Sequence, residues 1–182
     1  MNLSNYLSLA VASLALSVSP VNADANKTCR LAGAYGYLYN GASFQADASS
    51  MPLTETGVFT VQNNGSWLGE GTMALQFTDF SGKGPLWLLV KEVQSGGVAT
   101  ADSNNPCFGV MTFTATATVI KTSNSAILPE GTVLFSDKPR SIAYTISGQN
   151  NDIVDLISTS PGTVASGTAH KQLSKSNRRN EH

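Results

Sequence analysis

Only two histidines, His170 and His182, and two cysteines, Cys29 and Cys107, occur among 182 residues. No Cys/His zinc site of ordinary spacing can be assembled from them. A Ser-His-acid triad would have to recruit one of the same two histidines. His182 is the last residue, His170 adjoins a basic run, and no G-x-S-x-G turn is present to raise a nucleophilic serine. A P-loop is missing, as is a G-x-G-x-x-G that follows a strand and opens a helix, so nucleotide chemistry has no footing. What remains is the chemistry of carboxyl and phenol oxygens. Glu55, Glu70, Asp79, Asp102, Asp152 and Asp155 could pair in space as glycosidase acids do, but their spacing favours no one pair.

Two carboxylates interrupt strand-like runs. Asp155 shares a face with Ile153 and Ile157 in Ile153-Val154-Asp155-Leu156-Ile157. Turned inward, its carboxyl would titrate high and exchange a proton with a ligand. The alternatives are an outward face at the barrel rim or a buried pair with Arg140 or Lys91. Glu70 shares a face with Thr72 after a hairpin, with the same pair of readings. Tyr35, Tyr37 and Tyr39 fall on one face and, with Trp87, would make an aromatic wall carrying phenolic donors; plain core is the alternative. The candidates are therefore Asp155, Tyr37 and Glu70 for catalysis and Tyr35, Tyr39, Trp87, Met73, Phe77 and Phe113 for substrate contact. No metal or cofactor is expected.

The elements that must position these residues are strands. Short runs rich in Val, Ile, Thr, Tyr and Phe span Leu31–Tyr39, Thr56–Gln62, Gly71–Thr78, Leu86–Val93, Phe108–Ile120, Thr132–Ser136, Arg140–Ser147, Asp152–Ser158 and Val164–His170. Turn-forming stretches such as Asn63-Asn64-Gly65, Ser81-Gly82-Lys83-Gly84 and Ser160-Pro161-Gly162 separate them. No segment after the N-terminal run keeps a 3.6-residue apolar period over four turns. Met73, Leu75 and Phe77 share one face, and Met111, Phe113, Ala115, Ala117 and Val119 oppose a threonine-rich face. The pattern predicts an all-β domain, an antiparallel closed barrel of about eight strands with an apolar interior, a two-sheet sandwich being the alternative.

Residues Tyr6 to Val18 form an apolar run that stops at Pro20, too short for a membrane span of about 20 residues. Val21-Asn22-Ala23 supplies the small residues of a signal-peptidase site, which predicts a signal peptide over residues 1–23, secretion, and a barrel over residues 24–170. Export makes a Cys29–Cys107 disulfide the default. Asn26-Lys27-Thr28 and Asn64-Gly65-Ser66 are glycosylation sequons, the second at a predicted hairpin tip. Residues 171–182 read as a basic solvated tail. With 11 Lys+Arg against 12 Asp+Glu, the chain has no basic surplus with which to hold nucleic acid.

Several segments resemble the allene oxide cyclase-like group of small secreted barrels, which includes plant dirigent proteins and natural-product cyclases of the Diels–Alder type. They are Cys29-Arg30-Leu31-Ala32-Gly33-Ala34-Tyr35-Gly36, Gly57-Val58-Phe59-Thr60, Asn64-Gly65-Ser66-Trp67-Leu68-Gly69-Glu70-Gly71, Cys107-Phe108-Gly109 and Pro161-Gly162-Thr163-Val164-Ala165-Ser166-Gly167-Thr168-Ala169. The resemblance spans most of Cys29 to Lys171. Its motifs are glycines, turns and alternation, so it speaks to fold and carries over no functional residue. It implies a barrel whose mouth holds a hydrophobic small molecule. The function expected is a cofactor-free cyclase of secondary metabolism. A secreted lipocalin-like carrier and a solid structural barrel are the alternatives, and a homodimer is left open.

Overall fold

Alternation sorts the side chains into an apolar set and a polar set along most strands, and closing the sheet on itself hides the first set from water. The computed structural model describes residues 28–44, 50–148 and 150–172. Its elements are β1 (Gly33–Phe44), β2 (Ser50–Val61), β3 (Ser66–Phe77), β4 (Leu86–Ala101), β5 (Phe108–Thr122), β6 (Val133–Ser147), β7 (Ile153–Ser158) and β8 (Thr163–Lys171). Each strand pairs antiparallel with the next, and β8 returns to β1, so the meander closes into an eight-stranded barrel without a free edge. The described residues contain no helix, hence none long and apolar enough to cross a membrane. The signal peptide, Asn26 and residues 173–182 lie outside the described residues.

The interior is the predicted one on β3 and β5, where Met73, Leu75, Met111, Phe113, Ala115, Ala117 and Val119 are buried. Strand lengths differ from expectation. β3 starts at Ser66 and runs through Gly69 and Gly71, while β4 continues through Gly96 and Gly97 to Ala101. Gly69, Gly96 and Gly97, outside the predicted strands, are here interior or bulge positions of continuous strands. The two predicted segments Thr132–Ser136 and Arg140–Ser147 are one strand, β6. Asp137 takes a left-handed backbone there (φ 50°), and the register with β5 shifts between Ala115 and Ala117. That bulge lets Pro139, which has no N–H to give, sit within the ladder opposite Thr114. Lys171, expected in the tail, ends β8, and the Gln172 amide still donates to the Ala34 carbonyl at 2.8 Å.

The two barrel ends differ. At one, the segment before β1 touches all three connections that cross it. Arg30 donates to the Asn63 carbonyl at 2.8 Å, Asn151 donates to the Thr28 carbonyl at 2.9 Å, and Cys29 is disulfide-bonded to Cys107 with Cα atoms 4.8 Å apart. Cys29 and Leu31 are buried beneath this cap. The other end carries the β1–β2, β3–β4, β5–β6 and β7–β8 connections and opens to solvent.

Candidate functional site

From that open end a cavity of about 410 Å³ descends into the barrel. Its upper wall is apolar, with Met51, Leu53, Phe77, Phe80, Leu134 and Phe135. Its far wall is aromatic. Phe59 meets Trp67 at 6.0 Å and Trp67 meets Phe113 edge-on at 4.8 Å, while Tyr35 stacks behind Phe59, outside the cavity, with centroids 5.2 Å apart.

Midway down this apolar shaft sits a polar cluster from three strands. The Tyr37 hydroxyl of β1 donates to Oε1 of Glu55 on β2. Gln94 of β4 points its amide nitrogen at Glu55 Oε1 (3.3 Å), Tyr37 Oη (3.2 Å) and Glu92 Oε1 (3.1 Å). Glu55 and Glu92 are only 7% and 4% exposed. β3 lies between β2 and β4, and a side chain there would fill the meeting place. Gly71 occupies it instead: a Cβ at Gly71 would collide with the Tyr37 hydroxyl and the Glu55 carboxylate, and one at Gly69 would reach to 2.6 Å from the Gln94 side-chain oxygen. Two strands thus meet across a gap in the third.

Burial is expensive for a carboxylate, and two in one site cannot both ionise freely. Desolvation first, and then the charge of Glu92, push Glu55 from 4.5 up to about 7, against the Tyr37 hydrogen bond and the Arg140 charge that favour ionisation. Desolvation raises Glu92 as well, opposed by the Gln94 hydrogen bond and Arg140. Tyr37 stays a phenol, its pKa raised by burial and by Glu55. Near neutral pH the cluster therefore holds a proton it can donate or share. Tyr39, one step nearer the mouth, is buried with its hydroxyl unpartnered; the Ser158 hydroxyl beside it stands outside hydrogen-bonding geometry. Arg140 lies at the rim with its guanidinium 5.0 Å from the centre of the Phe135 ring.

Of the candidate residues, the structure gathers Tyr37, Tyr39, Met73, Phe77 and Phe113 around this cavity. Tyr35 is fully buried beyond Phe59 and does not line it. Three candidates are corrected. Asp155 stands on the outer wall, near Thr168 Oγ1 at 3.5 Å, because Val154 and Leu156 take the interior face of β7. Glu70 is outside too, its neighbours Gly69 and Gly71 facing in, and it pairs with Lys91 at 3.0 Å. Trp87 is 46% exposed between the buried Leu86 and Leu88. Asn64 is exposed in the β2–β3 turn, where its Oδ1 accepts from the Ser66 amide at 3.0 Å. His170 also lies on the outer surface.

Glu92 and Gln94 were not singled out from the sequence, and Glu55 was only one carboxylate of six. The signal was parity: Leu86, Leu88 and Val90 alternate inward, and the same face continues into Glu92 and Gln94. Among the described residues no three His, Cys, Asp or Glu side chains come together as a metal site. No protein-family model matches this chain, and comparison with curated proteins finds no similar sequence.

Proposed function

We propose that the protein is a cofactor-free cyclase that folds a hydrophobic small molecule inside the barrel and polarises it through the Tyr37–Glu55–Gln94–Glu92 cluster. The observation that carries this reading is the position of two buried carboxylates in the wall of an open apolar cavity. A solid structural barrel has no cavity to fill, and a carrier of apolar ligands would gain nothing from paying to desolvate them. A glycosidase would also use two carboxylates, but a sugar needs polar groups along its whole length, and this shaft is mostly hydrocarbon and aromatic.

The chemistry follows from the geometry. The walls hold a flexible chain in a near-attack fold, which lowers a cyclisation barrier by removing the entropy cost of reaching that fold. A carboxyl at Glu55 donates a hydrogen bond or proton to the group that gains negative charge, and Tyr37 and Gln94 stabilise the carboxylate left behind. After ring closure the proton returns to Glu55, so no co-reactant is consumed.

The test is a linear trienone able to close by an intramolecular cycloaddition, incubated with purified protein and followed by chiral chromatography. A faster reaction with one enriched stereoisomer supports the cyclase. Tight binding of the precursor with an unchanged rate and product ratio leaves the carrier.

A further inference from the structure

Each carboxylate of the cluster uses one oxygen. Glu55 Oε1 accepts from Tyr37 and Gln94, and Glu92 Oε1 accepts from Gln94, while the Oε2 atoms have no hydrogen bond or ion pair within the described chain. Independently, the Tyr39 hydroxyl, on a residue 6% exposed, is buried with no partner and lines the same cavity. It lies close enough to Glu55 and Glu92 to feel both charges. Three acceptors therefore converge on one stretch of cavity, with the rings of Phe59, Trp67 and Phe113 lining its inner end. Among the described residues no cation contacts the pair.

We propose that the ligand of this cavity carries a basic nitrogen, bound in its protonated form against Glu55, Glu92 and Tyr39 with its apolar body toward the mouth. An ammonium brings three N–H donors, one for each waiting oxygen, and the aromatic faces attract its charge. A ligand arriving as ammonium converts a protonated carboxyl of the pair to carboxylate, and that proton leaves to solvent. Among the described residues, the charged and titratable groups facing the site are Tyr37 and Tyr39 on β1, Glu55 on β2, Glu92 on β4, and Lys138 and Arg140 on β6; the other strands present uncharged side chains. Both β6 cations are held at the rim, 5.6 Å and 5.0 Å from the Phe135 ring centre, with Arg140 3.5 Å from Thr163 Oγ1. They oppose an ammonium at the mouth, and the Arg140 charge favours ionisation of both acids without contacting either. The inference rests on the cavity being the ligand site, as the proposed function holds, and not on turnover.

Calorimetric titration of the full chain at about pH 6, in two buffers of different ionisation heat, compares 4-phenylbutylamine, 4-phenylbutan-1-ol and 4-phenylbutanoate. The amine is expected to bind at least about tenfold more tightly than the alcohol and to release about one proton. Glu92→Gln should remove most of that preference, the amine losing far more affinity than the alcohol. The proton release of the unsubstituted protein tests the idea even if that variant folds poorly. Equal or tighter binding of the alcohol or the carboxylate, or amine binding without proton release, overturns the inference while keeping the cavity as a ligand site. No binding by any of the three overturns both.

Discussion

Glu55 and Glu92 are kept in the barrel at a cost that shows in how stability responds to pH. The ordinary value for Glu55 is 4.5, and burial beside Glu92 raises it to about 7 in the folded chain. Between those values the folded state keeps a proton that the unfolded state has already lost, so unfolding releases a proton and stability falls as pH rises. Below the window both states are protonated and the penalty is absent; above about pH 7 it is complete. Thermal melting from pH 5 to 8 should therefore show a falling midpoint, and Glu92→Gln should flatten the curve by removing the like charge. A rising midpoint in the unsubstituted protein would contradict the buried pair. For activity, Glu55→Gln keeps the shape and loses the transferable proton, so turnover of a cyclising substrate should drop about 10²- to 10³-fold. Asp155→Asn, out on the barrel wall, should leave turnover unchanged, and stopped assays of the two variants side by side separate the roles.

A strand supplies the space for that pair by what it omits. β3 presents Gly69 and Gly71 to the interior, and the polar side chains of β1, β2 and β4 close over the gap. Gly71→Ala places a methyl group where the Tyr37 hydroxyl and Glu55 meet. Overpacking of this kind costs about 1–3 kcal/mol, and denaturant unfolding should show a loss in that range, with ligand binding weakened as well. The half-exposed neighbour Thr72→Ala should change stability by only about 0.5 kcal/mol. β6 shows the reverse device. Its bulge at Asp137 adds a residue, so Pro139 is accommodated and Lys138 and Arg140 are brought to the cavity mouth.

Over the whole molecule, the barrel is closed at one end and open at the other. The cap is tied by Cys29–Cys107, separated by 78 residues, and loop-closure entropy sets about 4–5 kcal/mol as the upper guide to its contribution. Replacing both cysteines by alanine should lower the melting temperature by a corresponding amount. Because the bridge lies at the opposite end from the mouth, any variant that still folds should bind cavity ligands with unchanged affinity. A loss of affinity in a fully folded variant would mean that the cap shapes the site.

The two-residue period of the strands carried most of the architecture. Wherever one face was plainly apolar, as with Met73 and Leu75 or Met111 and Phe113, sequence alone placed the residues inside, because barrel and sandwich alike bury such a face. The Cys29–Cys107 bridge was legible for a different reason, the chain holding two cysteines and a predicted signal peptide. In β7 the period carried no sign. Ile153 and Ile157 on one face are as apolar as Val154 and Leu156 on the other, so only barrel closure turned Asp155 outward and left Ile157 60% exposed. The site itself was tertiary. Glu55 and Glu92 sit on strands that are not neighbours, and they meet because the registers of β2, β3 and β4 set Gly71 opposite both Gly57 and Glu92. Side-chain parity can say that a glutamate faces inward. Which other glutamate it meets is decided by register, which depends on all eight strands closing together.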